Sequence, residues 1–425
     1  MKQYTVLFVL LFIFSCSTPT EKKSSVITNG TPESTGFSAE RLTRLDTTMN
    51  DWVNKGWING AVGLIIRNGK IVYYKGVGYN DLETKTAMDK EGIFRIASQT
   101  KAITSVAVMM LYEEGKFLLD EPVSKYIPSF ADAKVLDKFN PKDTTYTTIP
   151  AKRQITIRDL LSHTSGIDYA TIGSAAANAI YAKNNITAGL DVSDSKLSDA
   201  MIRLGSLPLF HQPGEKWTYG LNIDLLGYLV EIWSGMSLDE FFTTRIFSPL
   251  GMKDTYFNVP EEKASRLVNF FQQDSTGLKI QNKAFGQLDM NFPLRKKEYF
   301  SGGGGLSSSI FDYAIFLQMM LNNGEYNGQR LLSRNTVRMM TMNQIGDLNL
   351  GEDKFGLGFA IVSEKGSSIL PNQVGTYSWG GAFSTTYWVD PKENMVVLLY
   401  RQMWGAHDDQ VDQAFKVLVY QAIND

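Results

Sequence analysis

Phe94-Arg95-Ile96-Ala97-Ser98-Gln99-Thr100-Lys101 leads into an apolar segment with few other charges. Ile103, Val106, Ala107, Met110 and Leu111 recur at helical spacing there, so residues 97–115 are predicted to form a strongly amphipathic helix. Ser98 and Lys101 then stand at i and i+3, which puts a hydroxyl and an ammonium on one helix face. The helix start adds unpaired N–H groups and the positive end of the dipole near the serine. A lysine in that position can hold the proton-transfer network of a serine, in place of a histidine. S-x-x-K by itself is common on surface helices. The lead-in and the apolar surroundings make Lys101 a residue held in a cleft.

The pattern on either side of this segment sets the fold. Upstream, Leu42, Leu45, Met49, Trp52 and Val53 mark a first helix over residues 40–55. Two strand-like runs, 60–67 and 70–77, flank Asn68-Gly69, a turn dipeptide that tolerates positive φ, and predict a β-hairpin. Downstream, residues 130–155 are polar and contain Pro141 and Pro150, and are expected to be a surface insertion. Thr156-Ile157-Arg158-Asp159 resembles a capping box opening a short helix. Helices separated by Gly and Pro dominate to about Ile345. Strand-like runs return at 359–362, 385–389 and 395–401, and a last helix covers 408–423. The expected fold is α/β of the α+β type. Residues 37–97 and 350–425 supply an antiparallel sheet flanked by the first and last helices. Residues 98–349 form a mostly helical second lobe, and the active site lies in the cleft between lobes.

Composition narrows the function classes. Lys plus Arg is 42 and Asp plus Glu is 44, a net charge of −2 over 425 residues, with no basic excess to neutralise nucleic acid. A small-molecule partner, not a nucleic acid, is expected. A single cysteine excludes an intramolecular disulfide and a cysteine-based zinc site. His163, His211 and His407 make no ligand-spaced pair, so neither a metal nor another cofactor is expected. Lys2 followed by an apolar run over 5–14 reads as a signal peptide, residues 1–15, too short to span a bilayer. Ile13-Phe14-Ser15-Cys16 resembles a bacterial lipobox, which implies lipidation of Cys16 and a membrane contact made only through that anchor. Residues 16–36 are Ser/Thr/Lys-rich and read as a flexible tether. The domain proper is 37–425, exported and facing the periplasm.

Four motifs appear in order: Ser98-x-x-Lys101, Leu160-Leu-Ser-His-Thr-Ser-Gly166, Pro213-Gly214 before Tyr219, and Gly302-Gly-Gly-Gly-Leu-Ser307. Together they resemble the serine β-lactamase and penicillin-binding-protein superfamily, closest to class C β-lactamases and the carboxylesterases related to them. The resemblance runs from about residue 37 to 419. It implies that Ser98 is the nucleophile and that Tyr219 is the base partnered by Lys101, whose ammonium favours phenolate. It implies an oxyanion hole made by the backbone N–H groups of Ser98 and Ala382. It places Trp379-Gly380-Gly381 on the strand lining the cleft, where glycines let substrate approach the backbone.

Two positions depart from the family pattern. Leu221 stands where an asparagine would hydrogen-bond a substrate amide, and Trp379 where a lysine or histidine would anchor a substrate carboxylate. The pocket is therefore expected to favour uncharged esters, through an acyl-enzyme. A D-alanyl-D-alanine carboxypeptidase, a D-aminopeptidase or a β-lactamase is the alternative hydrolase, with Arg401 as the distant cation that could bind a carboxylate. A catalytically silent binding protein is the alternative of another class, against which Ser98, Lys101 and Tyr219 together argue. Gly302–Gly305 lacks the Gly-Lys-Ser/Thr of a phosphate loop and is read as a tight turn beside the cleft. His163 is read as structural. Asn222 and Asp224 either support Tyr219 or cap a helix.

Overall fold

A computed structural model describes residues 26–190, 195–285 and 288–425. Residues 1–15 and Cys16 lie outside the described residues. The hairpin forms where expected: Gly60–Arg67 pairs with Lys70–Asp81. Asn68 and Gly69 both take positive φ, 55° and 71°, as a two-residue hairpin turn with strand-matching twist requires.

On its other side Gly60–Arg67 pairs antiparallel with Met395–Tyr400, Val62 opposite Tyr400 and Arg67 opposite Met395. Thr385–Asp390, Tyr377–Gly381, Ala360–Ile361 and Lys354–Phe355 follow in order toward the far edge. The early and late strands thus share one sheet. Side-chain alternation gives it two apolar faces. Ala61, Ile65, Met395, Val397 and Leu399 pack with Leu45, Met49 and Trp52 of Ala39–Asn54 and with Val411, Phe415 and Val419 of Asp408–Tyr420. Val62, Leu64, Ile66, Val396, Leu398 and Tyr400 face the opposite core. A one-residue slip would exchange these two sets, so register here is strongly specified.

One expectation needs correction. The tether ends sooner than residue 36: Thr28–Asn29 adds a parallel edge strand against Lys70-Ile71, and Thr35 is buried under a short 3-10 turn. Ser/Thr richness hid an edge strand whose hydrogen bonds are all to backbone. The 130–155 stretch is the expected surface insertion, folded as a mostly exposed antiparallel hairpin, Lys134–Asn140 with Thr145–Pro150, Pro141 sitting in its turn and Pro150 at its end, where no ladder donor is lost. The second lobe also carries strands: Ile93–Arg95, Thr255–Tyr256 and Ser307–Ser309 form one small sheet, and Phe271–Asp274, Gly277–Ile280 and Met403–Trp404 another. They are too short for a period-two pattern to show.

The helix that opens at Thr100 runs to Glu113 and is buried from Thr100 to Leu111 on every side, not on one stripe. Its polar residues are matched by the glycine turn. Thr104 Oγ1 donates to the Gly302 carbonyl at 2.7 Å, and Leu306 N donates to Thr100 Oγ1 at 3.1 Å. The capping box at Thr156 forms as expected, Asp159 returning a bond to the Thr156 N–H.

Candidate active site

The site is built on the link between Ile93–Arg95 and the central helix. Ala97 takes φ +41°, a conformation unusual for a residue with a Cβ, and Ser98 follows on a single 3-10 turn, Ala97–Gln99. Buried partners fix this turn. Arg95 N donates to Gln402 Oε1 at 2.7 Å, and the Arg95 guanidinium reaches the carbonyls of Met290 at 2.6 Å and Val268 at 2.8 Å. Full burial pushes its pKa down to about 9, so it stays cationic at neutral pH. Tyr313 and Tyr400 close the far side, Tyr313 Oη donating to the Gln99 carbonyl at 2.8 Å and Tyr400 Oη to Gln99 Oε1 at 2.5 Å.

Three expected residues converge. Tyr219 Oη lies 2.6 Å from Ser98 Oγ, and Lys101 Nζ donates to the same oxygen at 3.3 Å. The Tyr219–Ser98 separation is that of a short O–H···O hydrogen bond. Lys101 Nζ also donates to the Gly303 carbonyl at 2.5 Å and sits over the Tyr219 ring, 4.6 Å from its centroid. The Ser-His-Thr-Ser-Gly turn holds Tyr219 in place: Thr218 N donates to the His163 carbonyl at 2.8 Å, and Gly214 N to that of Thr164 at 2.7 Å. A Cβ on Gly220 would stand 2.1 Å from the Ile167 carbonyl oxygen, so only glycine lets Tyr219 approach this turn.

His163 is structural in this arrangement. It is buried, and its Nδ1 accepts from Asn222 Nδ2 at 3.0 Å, which puts the ring proton on Nε2. Burial, helped by the Lys101 charge, drives its pKa well below the ordinary value, so it is neutral. Asn222 Oδ1 in turn accepts from Ser165 Oγ at 2.5 Å. Asn222 therefore braces the turn that holds Tyr219 and is not a cap.

Leu221 is a correction. Its side chain is fully buried in the main core and does not line the cleft. It sits at the cap position of Asn222–Ser234, where the chain turns inward. Trp379, Gly380, Gly381 and Ala382 do line the cleft with Ser98 and Tyr219, around a cavity of about 440 Å³. The Trp379 ring lies 5.5 Å from that of Tyr219. A Cβ on Gly381 would be 2.3 Å from the Ile96 carbonyl oxygen. That close approach brings the end of the strand Tyr377–Gly381 beside the serine turn.

Arg401 lines the same cavity, but its charge is already engaged. It is fully buried and bonds Asp408 Oδ1 at 2.9 Å and Asp412 Oδ1 at 2.6 Å. Asp409 adds a third carboxylate to that wall.

Sequence reasoning missed two members of the site. Tyr169 stacks on Tyr219 at 5.3 Å and also faces Lys101, whose Nζ is 5.4 Å from its ring centroid. The Gly303 carbonyl is the main acceptor for Lys101. Tyr169 follows the Ser165-Gly166 turn by a few residues, and that proximity was its one available signal. A backbone acceptor leaves no mark in a sequence.

A second cavity of about 410 Å³ lies away from the serine, among Tyr74, Lys90, Arg266 and Asp312. Its polar groups are engaged: Arg266 bonds Asp254, Lys90 sits over Tyr74, and Asp312 accepts from Asp254 N and Thr255 Oγ1. Burial pushes the Asp312 carboxyl up to about 6.

A serine on a strained helix start, a lysine one turn on and a tyrosine from a separate segment, beside a strand of the large sheet, define a serine hydrolase of the β-lactamase fold. The chain belongs to the beta-lactamase family, whose model matches residues 43–421. It is 30% identical over 420 residues to a putative D-alanyl-D-alanine carboxypeptidase of Escherichia coli K12, covering 93% of this chain and 89% of that one. It is 29% identical over 380 residues to esterase EstB of Burkholderia gladioli, covering 86% and 92%. Among solved structures, EstCE1, a hydrolase with promiscuous acyltransferase activity, superposes with a TM-score of 0.76 at 25% identity, covering 89% of this chain and 98% of that one.

Proposed function

We propose that this hydrolase is a carboxylesterase that acts on small neutral esters through an acyl-enzyme. The observation that carries the reading is the state of Arg401, the cation of the cleft wall. It is bonded to Asp408 and Asp412, with Asp409 beside them and an indole at Trp379. A substrate carboxylate entering there would lose hydration without finding an unpaired cation, which is costly. A neutral ester avoids that loss and gains contact with the ring.

Ser98 Oγ attacks the ester carbonyl while its proton passes to Tyr219 Oη. Lys101, over the tyrosine ring, stabilises the negative charge on that oxygen before transfer. The N–H groups of Ser98 and Ala382 face the tetrahedral oxyanion. The intermediate collapses, the C–O bond to the leaving alcohol breaks, and Tyr219 returns the proton to the alkoxide. Water then attacks the acyl-enzyme by the same route and releases the acid.

The test is intact-protein mass spectrometry with a fluorophosphonate, and kcat/KM for p-nitrophenyl acetate beside a cephalosporin and a D-alanyl-D-alanine peptide. An adduct on Ser98 and a clear preference for the acetate are expected. Higher kcat/KM on the peptide would replace the esterase reading with that of the carboxypeptidase relatives.

A further inference from the structure

We propose that Asp224 is a positioning residue for Lys101, its buried carboxylate acting through Gly303 to hold the lysine aimed at Ser98 and Tyr219. The inference rests on the serine-hydrolase reading and adds to the Ser98–Lys101–Tyr219 trio a fourth residue that touches no substrate.

Asp224 is fully buried on the helix Asn222–Ser234. Its Oδ1 accepts from Ser301 Oγ at 2.6 Å and from Gly303 N at 3.3 Å, while Oδ2 has no hydrogen-bond partner. The carbonyl of the same Gly303 accepts from Lys101 Nζ at 2.5 Å. One residue therefore joins the carboxylate to the ammonium. Its side must stay empty, because a Cβ on Gly303 would lie 2.2 Å from Asp224 Oδ2. This is a physical reason for glycine at that place in the Gly302–Gly305 run.

A buried carboxylate with one oxygen unpaired is costly unless a cation offsets it. Burial raises the Asp224 pKa and the Lys101 charge opposes that rise. The other titratable groups around the lysine do not supply a counter-charge. His163 is held neutral by burial, and Tyr169 is held as a phenol by burial and by Tyr219 and Asp224. Tyr219 is the group that exchanges a proton with Ser98. Asp224 is thus the carboxylate behind the lysine, and losing it removes a Coulombic partner of the ammonium.

Asp224→Asn keeps the volume and the Oδ1 acceptor and removes the charge. With p-nitrophenyl acetate, kcat should fall at least about tenfold and KM move less than about twofold. The alkaline limb of the kcat/KM profile should move to lower pH. Ser301→Ala removes a neutral bond to the same oxygen and leaves the charge, so its alkaline limb should stay in place. An unmoved limb in Asp224→Asn, or an equal move in Ser301→Ala, overturns the proposal. If Asp224→Asn does not fold, Asp224→Ala is assayed with added formate, which can return a carboxylate to the vacated space. Recovery of kcat by several-fold is expected, and no recovery overturns the proposal. Phosphonylation of Ser98 in the unaltered protein tests the hydrolase reading separately, so the two failures are distinguishable.

Discussion

Tyr219→Phe removes one oxygen and leaves the rest of the site in place. The ring keeps its stack on Tyr169 at 5.3 Å, its contact with Trp379 at 5.5 Å and the Lys101 cation at 4.6 Å. What disappears is the 2.6 Å link to Ser98 Oγ. Half-buried, that hydrogen bond contributes about 0.5–1.5 kcal/mol to folding, so Tm should fall by no more than a few degrees. The catalytic loss is larger, because the proton of Ser98 then loses its acceptor: Lys101 Nζ, at 3.3 Å, is itself a donor to Ser98 Oγ and to the Gly303 carbonyl. General base catalysis contributes about a hundredfold to ten-thousandfold, so kcat/KM should drop at least about a hundredfold, or about 2.7 kcal/mol of barrier. The assay is burst and steady-state kinetics with p-nitrophenyl acetate, beside the rate of fluorophosphonate labelling. A variant within about fivefold of the unaltered enzyme, with Tm unchanged, would refute Tyr219 as the base and move that role to Lys101.

Ser98→Ala should abolish both labelling and turnover, and an adduct on another serine would reassign the nucleophile. Trp379→Lys should raise kcat/KM for an ester carrying a free carboxylate relative to its neutral counterpart, measured as a ratio of the two. In Arg401→Ala the unaltered enzyme's preference for the neutral ester should persist; a carboxylate preference in the unaltered enzyme that disappears in Arg401→Ala would favour a peptidase instead. Asp312 has its pKa raised to about 6 by burial, above an unfolded value near 3.9, so the folded state binds the extra proton between those values. Stability should therefore fall as pH rises from about 4 to about 6, and Asp312→Asn, which retains an acceptor oxygen, should flatten that fall in Tm measured across the range. Cys16→Ser should release the protein from the membrane fraction if Cys16 carries a lipid, as read by detergent partitioning.

The parts of this molecule that could be read from its sequence share a local cause. The hairpin at Asn68-Gly69 and the capping box at Thr156 are written in adjacent residues, and the structure forms both. Ser98 and Lys101 are one helical turn apart, so their pairing was also local. Tyr219 came only through its motif, since nothing near Ser98 in the chain points to a residue 121 positions away. Leu221 was misplaced because a position in a motif says nothing of which way the side chain turns; here it turns into the core. The central helix looked amphipathic because Thr100, Lys101 and Thr104 form a polar stripe. That stripe faces the Gly302–Leu306 turn instead of water, a contact between segments about 200 residues apart. The edge strand at Thr28–Asn29 was hidden because its bonds are to backbone alone.

The pairing of Gly60–Arg67 with Met395–Tyr400 also bears on how the chain acquires its shape. The middle of the sheet is made from strands more than 300 residues apart, so a ribosome must deliver nearly the whole polypeptide before the core can close. Loop closure over that distance is entropically unfavourable, and long-range pairing of this kind slows folding. Until the 395–400 strand arrives, the apolar faces of 60–67 lie open to other chains. A circular permutant that makes the two central strands neighbours in sequence should fold faster and aggregate less during refolding, while its finished sheet is the same.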